Sequence, residues 1–182
     1  MKPKLLHVFS ILIWLFSALI FAADESFESI KVEAEKGNAS AQFNLGIMYF
    51  RGQETSQDYK EAKKWFQRAA EKGLPEAQHN LGFMYYEGLG ASQNYSEALK
   101  WFKKAAKQNN PKAQHNIGVI YASGLGVPED NIKAYAWLSL AYSNGYEESK
   151  DTILILNKAM TASEMQQAEA EAAKLREIIK KR

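Results

Sequence analysis

Hydrophobic positions along this chain recur at helical spacing in blocks of about a dozen residues. Ala41, Leu45, Met48 and Tyr49 fall at i, i+4, i+7 and i+8, which is one face of a helix. A second block puts Tyr59, Ala62, Phe66, Ala69 and Ala70 on one face and Lys60, Lys63, Lys64, Gln67 and Arg68 on the other. The first block, helix A, is apolar nearly all round, which predicts contacts on more than one side. The second, helix B, is cleanly amphipathic and belongs on an outer, convex wall. The fold class predicted is all-α.

The boundaries of both helices are written in residues with specific backbone preferences. Asn38 marks the first helix A, and Pro75 and Pro111 sit in the first turn of its later copies, where a missing N–H costs little. Gly52, Gly88 and Gly124 provide left-handed stops. Asp58, Asn94 and Asp130 are N-cap residues for helix B, and Glu61 and Glu97 three positions on predict capping boxes.

The helix pair is one 36-residue unit written three times, over 41–76, 77–112 and 113–148. Nineteen of 36 positions are identical between the first two copies, which is duplication rather than shared composition. Neither helix can bury its apolar face alone, so stacked neighbours must complete the core. Gly46, Gly82 and Gly118 lie mid-helix, where glycine costs about 1 kcal/mol against alanine. Its recurrence at one position predicts close backbone approach between paired helices.

The pattern A-x-x-x-L-G-x-x-Y-x-x-G-x-G, then D-x-x-x-A-x-x-W-x-x-x-A-A, resembles the Sel1-like repeat, a relative of the tetratricopeptide repeat. The resemblance spans residues 41–148 and implies an α/α right-handed superhelical solenoid whose concave side, lined by A helices, binds other proteins. Glu54 departs from it, replacing the second loop glycine of Gly88-x-Gly90, which predicts a differently built or looser first loop. Asn109 stands where Gly73 and Gly145 do, a mild change because Asn tolerates the left-handed conformation.

A stack needs polar caps. Residues 24–40 read as an N-terminal capping helix, with Gly37 in register with Gly73. In the third helix B the basic positions become Tyr135, Ala136, Ser139 and Leu140, so something must cover that wall. Residues 149–182 are the predicted cover. Ser149 to Asn157 keeps helix A register with Leu154 in place of glycine, and Thr161-x-x-Glu164 opens a last helix. Its stripe of Met165, Ala168, Ala172, Leu175 and Ile179 either caps this stack or pairs with a second molecule. Two heptads are marginal alone, so a self-capped monomer is expected, with a dimer as the alternative.

Residues 1–23 read as a secretory signal peptide: Lys2 and Lys4, an apolar run, then Ala22 and Ala23 before the first acid, Asp24. An uncleaved anchor is the alternative, and the one expected route to membrane contact. Export to the periplasm is the leading expectation, with secretion second. Without this segment, 21 Lys and Arg balance 21 acids, which is no basic stripe for nucleic acid. There is no cysteine, so the fold holds by burial alone.

Chemistry is poorly provided for. His79 and His115 share a repeat position, but successive units lie ~10 Å apart and zinc holds its nitrogens at about 2 Å, so no metal site is expected. Gly88-x-Gly90 and Gly124-x-Gly126 follow helices and lack the lysine and hydroxyl of a phosphate loop. No nucleophile motif is present and no cofactor is implied, so no catalysis is expected. A cell-envelope enzyme or wall-binding protein remains an alternative. The cysteine-rich relatives described as penicillin-binding or β-lactamase-like carry paired cysteines absent here. A structural homo-oligomer through the last helix is another alternative.

What remains is the groove. The predicted partner surface is Gln42, Phe43, Ile47 and Phe50 in the first unit, Gln78, His79, Phe83 and Tyr86 in the second, and Gln114, His115 and Val119 in the third. An apolar and aromatic stripe flanked by amides suits an extended peptide, which the amides would hydrogen-bond along its backbone. Asn44, Asn80 and Asn116 are assigned to packing between units.

Overall fold

The computed structural model describes residues 26–180; the predicted signal segment at 1–23 lies outside them. The described residues form helices α1 (Phe27–Glu35), α2 (Ala39–Arg51), α3 (Tyr59–Glu71), α4 (Pro75–Glu87), α5 (Tyr95–Ala106), α6 (Pro111–Ser123), α7 (Asn131–Ser143), α8 (Ser149–Ala159) and α9 (Ala162–Lys180). Helices α2/α3, α4/α5 and α6/α7 are the three A/B pairs. Each B helix packs on the A helix that follows, and α1 covers α2. The result is an all-α solenoid.

The helix ends follow the local chemistry. Gly52, Gly88 and Gly124 take left-handed φ values of 68°, 74° and 63° at the ends of the A helices. Asp58, Asn94 and Asp130 each accept from a first-turn N–H of a B helix. The capping boxes expected at Glu61 and Glu97 are half made. The N–H of each cap residue instead donates to Tyr49 or Tyr85 of the preceding A helix, and each glutamate pairs with Lys64 or Lys100. The box at Thr161 and Glu164 is complete, with Thr161 N–H donating to Glu164 at 2.8 Å and Glu164 N–H to the Thr161 hydroxyl at 3.3 Å.

The mid-helix glycines sit where A and B helices cross. A β-carbon on Gly46 would lie 2.6 Å from the Phe66 ring, and one on Gly118 2.5 Å from Leu138 Cγ. Phe66, Phe102 and Leu138 thereby become fully buried beside Leu45, Leu81 and Ile117. Each such side chain stabilises by roughly 1.5–3 kcal/mol. The second loop glycine serves contact between units, since a β-carbon on Gly90 would overlap the Tyr59 carbonyl. Glu54 at the first unit adopts the same left-handed conformation (φ 58°), and its carboxylate accepts from Phe27 N–H at 3.1 Å. The first loop is thus tied to the N-terminal cap, not looser. Asn109 is left-handed too, at φ 62°.

The C-terminal end breaks the repeat. Helix α8 occupies the next A position, but α9 turns back onto α7 instead of pairing with α8. Leu154 stands at the glycine position, where no B helix crosses, and is 48% exposed. Ala168, Ala172 and Ile179 of α9 are buried, as are Ala136 and Leu140 of α7, and Arg176 donates to the Ser139 hydroxyl at 3.0 Å. The apolar stripe of the last helix is therefore covered by its own chain. No helix among the described residues is long and apolar enough to cross a membrane.

Candidate functional site

The A helices carry one column of apolar residues that the core covers only in part: Ile47, Phe83 and Val119 are half-buried, and Ile155 of α8 continues the column at 66% exposed. Between α2 and α4 this face opens into a cleft of about 230 Å³, lined by Ile47, Phe50, Arg51, Phe66, His79, Asn80 and Phe83. Phe66 forms its buried floor. Four of the residues predicted from sequence, Ile47, Phe50, His79 and Phe83, thus meet at one place.

The polar side of the cleft is built by His79. Its Nδ1 lies 3.1 Å from Asn80 Oδ1, and its Nε2 lies 3.2 Å from Asn116 Nδ2 of the next unit. An acceptor on one side and an amide donor on the other fit the neutral tautomer with the proton on Nδ1. Burial lowers the His79 pKa below its ordinary value, aided by the charge of Lys112 and opposed by the Asn80 bond. Of the three asparagines assigned to packing between units, Asn116 makes such a contact, whereas Asn80 bonds its own neighbour and lines the cleft, and Asn44 is exposed.

Other predicted residues are placed elsewhere. His115 is half-buried, with Nδ1 3.0 Å from the Ser149 hydroxyl and its ring 5.0 Å from that of Tyr146. Its pKa is lowered by burial against the opposing charge of Glu148. Phe43 packs on Phe66 with ring centroids 5.8 Å apart. The ring of Tyr86 is turned onto Tyr95 at 5.3 Å, matching Phe50 on Tyr59 in the first unit. Among the described residues no group of three or more His, Asp or Glu side chains gathers as a metal site would require.

The amides Gln42, Gln78 and Gln114 do not flank the groove as predicted. All three are buried, and each donates from Nε2 to a carbonyl near the end of the preceding helix: Ala34, Ala70 and Ala106 respectively. Each carbonyl also accepts a backbone N–H from just past its helix, that of Gly37, Gly73 or Asn109, so the glutamine fills its second acceptor position. The oxygens of Gln78 and Gln114 accept in turn from Gln108 and Asn144. These residues join consecutive units and are unavailable to a peptide backbone. Arg51 was the residue the sequence pattern passed over. It lies one turn after Ile47 on the same face, and its register partners Glu87 and Ser123 differ too much in charge for the repeat to mark it.

Stacked helix pairs, glycine crossings and amide links between units define the class: an α/α repeat solenoid that presents a side-chain surface. The chain belongs to the Sel1 repeat family, whose model matches residues 39–74, 75–110 and 111–146, more than half of it. The secretory immunoglobulin A-binding protein EsiB of Escherichia coli is 39% identical over 69 residues, covering 38% of this chain and 14% of that protein. The crystal structure of c5321, a protective antigen of uropathogenic Escherichia coli with an SLR fold, superposes with a TM-score of 0.79 at 37% identity, covering 86% of this chain and 33% of that one. A Sel1 repeat protein from Oxalobacter formigenes gives 0.65 at 30% identity, covering 76% and 57%. The chain thus spans a minor part of the Escherichia coli sequence and of the Escherichia coli structure it matches.

Proposed function

We propose that this chain is an exported interaction scaffold that holds a protein or peptide partner along the inner face of its A helices and performs no catalysis of its own. The observation that carries the reading is the cleft between α2 and α4 and the half-buried column through Ile47, Phe83 and Val119. Apolar side chains left over after a core is complete are the usual material of a binding surface. Export is supported by the signal-like first 23 residues and by similarity to Escherichia coli matches named for binding secretory immunoglobulin A or described as a protective antigen. The periplasm is the favoured destination, and a self-capped monomer the favoured state.

A photo-reactive amino acid at Phe83, expressed in the native cell, tests this. It should cross-link a discrete partner, while the same group at Gln67 on the outer wall should not. Phe83→Ala should weaken capture with the helical circular dichroism signal nearly intact. Equal labelling from the outer wall, or collapse of the fold in that variant, would count against the groove.

A further inference from the structure

We infer that the cleft between α2 and α4 receives a bulky apolar side chain of an extended peptide whose adjacent acidic side chain pairs with Arg51. This rests on the groove reading above and names the chemistry of the partner. At about 230 Å³ the cleft is smaller than the roughly 300–1,000 Å³ of small-molecule pockets, and its size suits one large side chain. Ile47, Phe50, Phe66 and Phe83 make that space apolar.

The polar lining is one-sided. Both nitrogens of His79 are engaged, and the Asn80 oxygen is taken by His79, which leaves the Asn80 amide N–H groups. Arg51 adds a guanidinium with five donors and no acceptor. Its side chain is exposed, and it forms no ion pair among the described residues. An apolar hole rimmed only by donors, one of them a cation, is complementary to an apolar side chain beside an anion.

The neighbouring units fix the register. Glu87 takes the place of Arg51 one unit on, so the acid is attracted at this cleft and repelled one unit further along. The apolar column continues past the cleft through Val119 to Ile155, so the peptide runs on and does not end there. The anion is therefore a side chain, not a chain terminus.

Short fluorescein-labelled peptides with a central Phe-Glu, Phe-Gln or Phe-Lys, each C-terminally amidated, test this by fluorescence polarisation on the full chain. Phe-Glu should bind roughly two- to fivefold tighter than Phe-Gln. Raising salt to about 1 M should shrink that advantage. Arg51→Glu should invert the preference toward Phe-Lys, and Arg51→Lys should keep its sign. Arg51→Gln, which should abolish the preference, serves if an acid at the helix C-terminus unsettles the fold. Equal affinity for all three peptides, a preference unmoved by Arg51→Glu, binding only to free C-terminal carboxylates, or no binding at all would each overturn the inference. Charge-blind binding still abolished by Phe83→Ala would overturn it while leaving the groove reading standing; that reading falls on the cross-linking result.

Discussion

Phe102 Cδ1 lies 2.7 Å from the point where a β-carbon on Gly82 would stand. The same point is 3.2 Å from the Ala98 carbonyl, which belongs to a helix backbone and cannot swing aside. Gly82→Ala should gain about 1 kcal/mol of helix propensity. Against that, pushing a fully buried ring costs about 1–3 kcal/mol. The expected net result is a loss of up to about 2 kcal/mol, read as a lower midpoint in urea. A raised midpoint would mean the helices can part there, and glycine would need another explanation.

That glycine column was readable because a cost repeated in register at 46, 82 and 118 has few physical causes. Caps and left-handed stops were readable for a similar reason: Asp58 and Gly88 act on their own backbone. Links between units were not. Gln78 looks like a surface amide until the Ala70 carbonyl and Gln108 are known to converge on it. The groove was half legible. The column of Ile47 and Phe83 follows from helix periodicity, whereas Arg51 enters the cleft by a spatial coincidence that no repeat position shares. The turn of α9 onto α7 was hidden as well. Leu154 announced a departure from glycine without saying which helix would take the vacated partner.

The link between units is incomplete at the first one. Gln108 donates at 2.9 Å both to the Gly73 carbonyl and to Gln78 Oε1. Lys72 holds the corresponding place one unit earlier and reaches the Gly37 carbonyl, but Gln42 Oε1 is buried without a partner. Lys72→Gln should supply both bonds. A net gain of about 0.5–1.5 kcal/mol is expected for satisfying a buried acceptor. Thermal unfolding of the single variant checks it, and a lower melting temperature would show that the lysine contact outweighs the orphaned oxygen.

Acid should weaken the fold through its histidines. Burial holds the pKa of His79 and that of His115 below the ordinary 6.5. The unfolded chain therefore takes up protons more readily, so stability is full above about pH 6.5 and falls as pH drops toward the folded value. Carboxylates act lower. At Asp130 burial raises the pKa but the Lys133 bonds lower it more, and at Glu164 the Thr161 bonds lower it from 4.5. Urea titrations between about pH 5 and 7 thus isolate the histidines. His79→Phe, the residue the first unit carries as Phe43, should flatten the slope. A slope unchanged by that substitution would place the titrating group elsewhere.

The last prediction separates a cap from a dimer interface. Ala172 of α9 is 2% exposed on a helix that packs on α7, where Ala136 and Leu140 are buried too. Ala172→Glu must either bury an unpaired carboxylate or release α9 from the stack. Either should cost more than about 3 kcal/mol, whereas Lys174→Glu on the exposed face should stay within about 0.5 kcal/mol. If α9 caps its own chain, Ala172→Glu exposes the α7 wall, and the soluble fraction should fall as aggregates appear on sizing. If the stripe instead holds two molecules together, the same variant should yield a smaller, well-folded species with its melting curve little changed. The geometry favours the first outcome, because in a dimer through this stripe Ala136 and Leu140 would face water in each copy unless the partner covered them equally well.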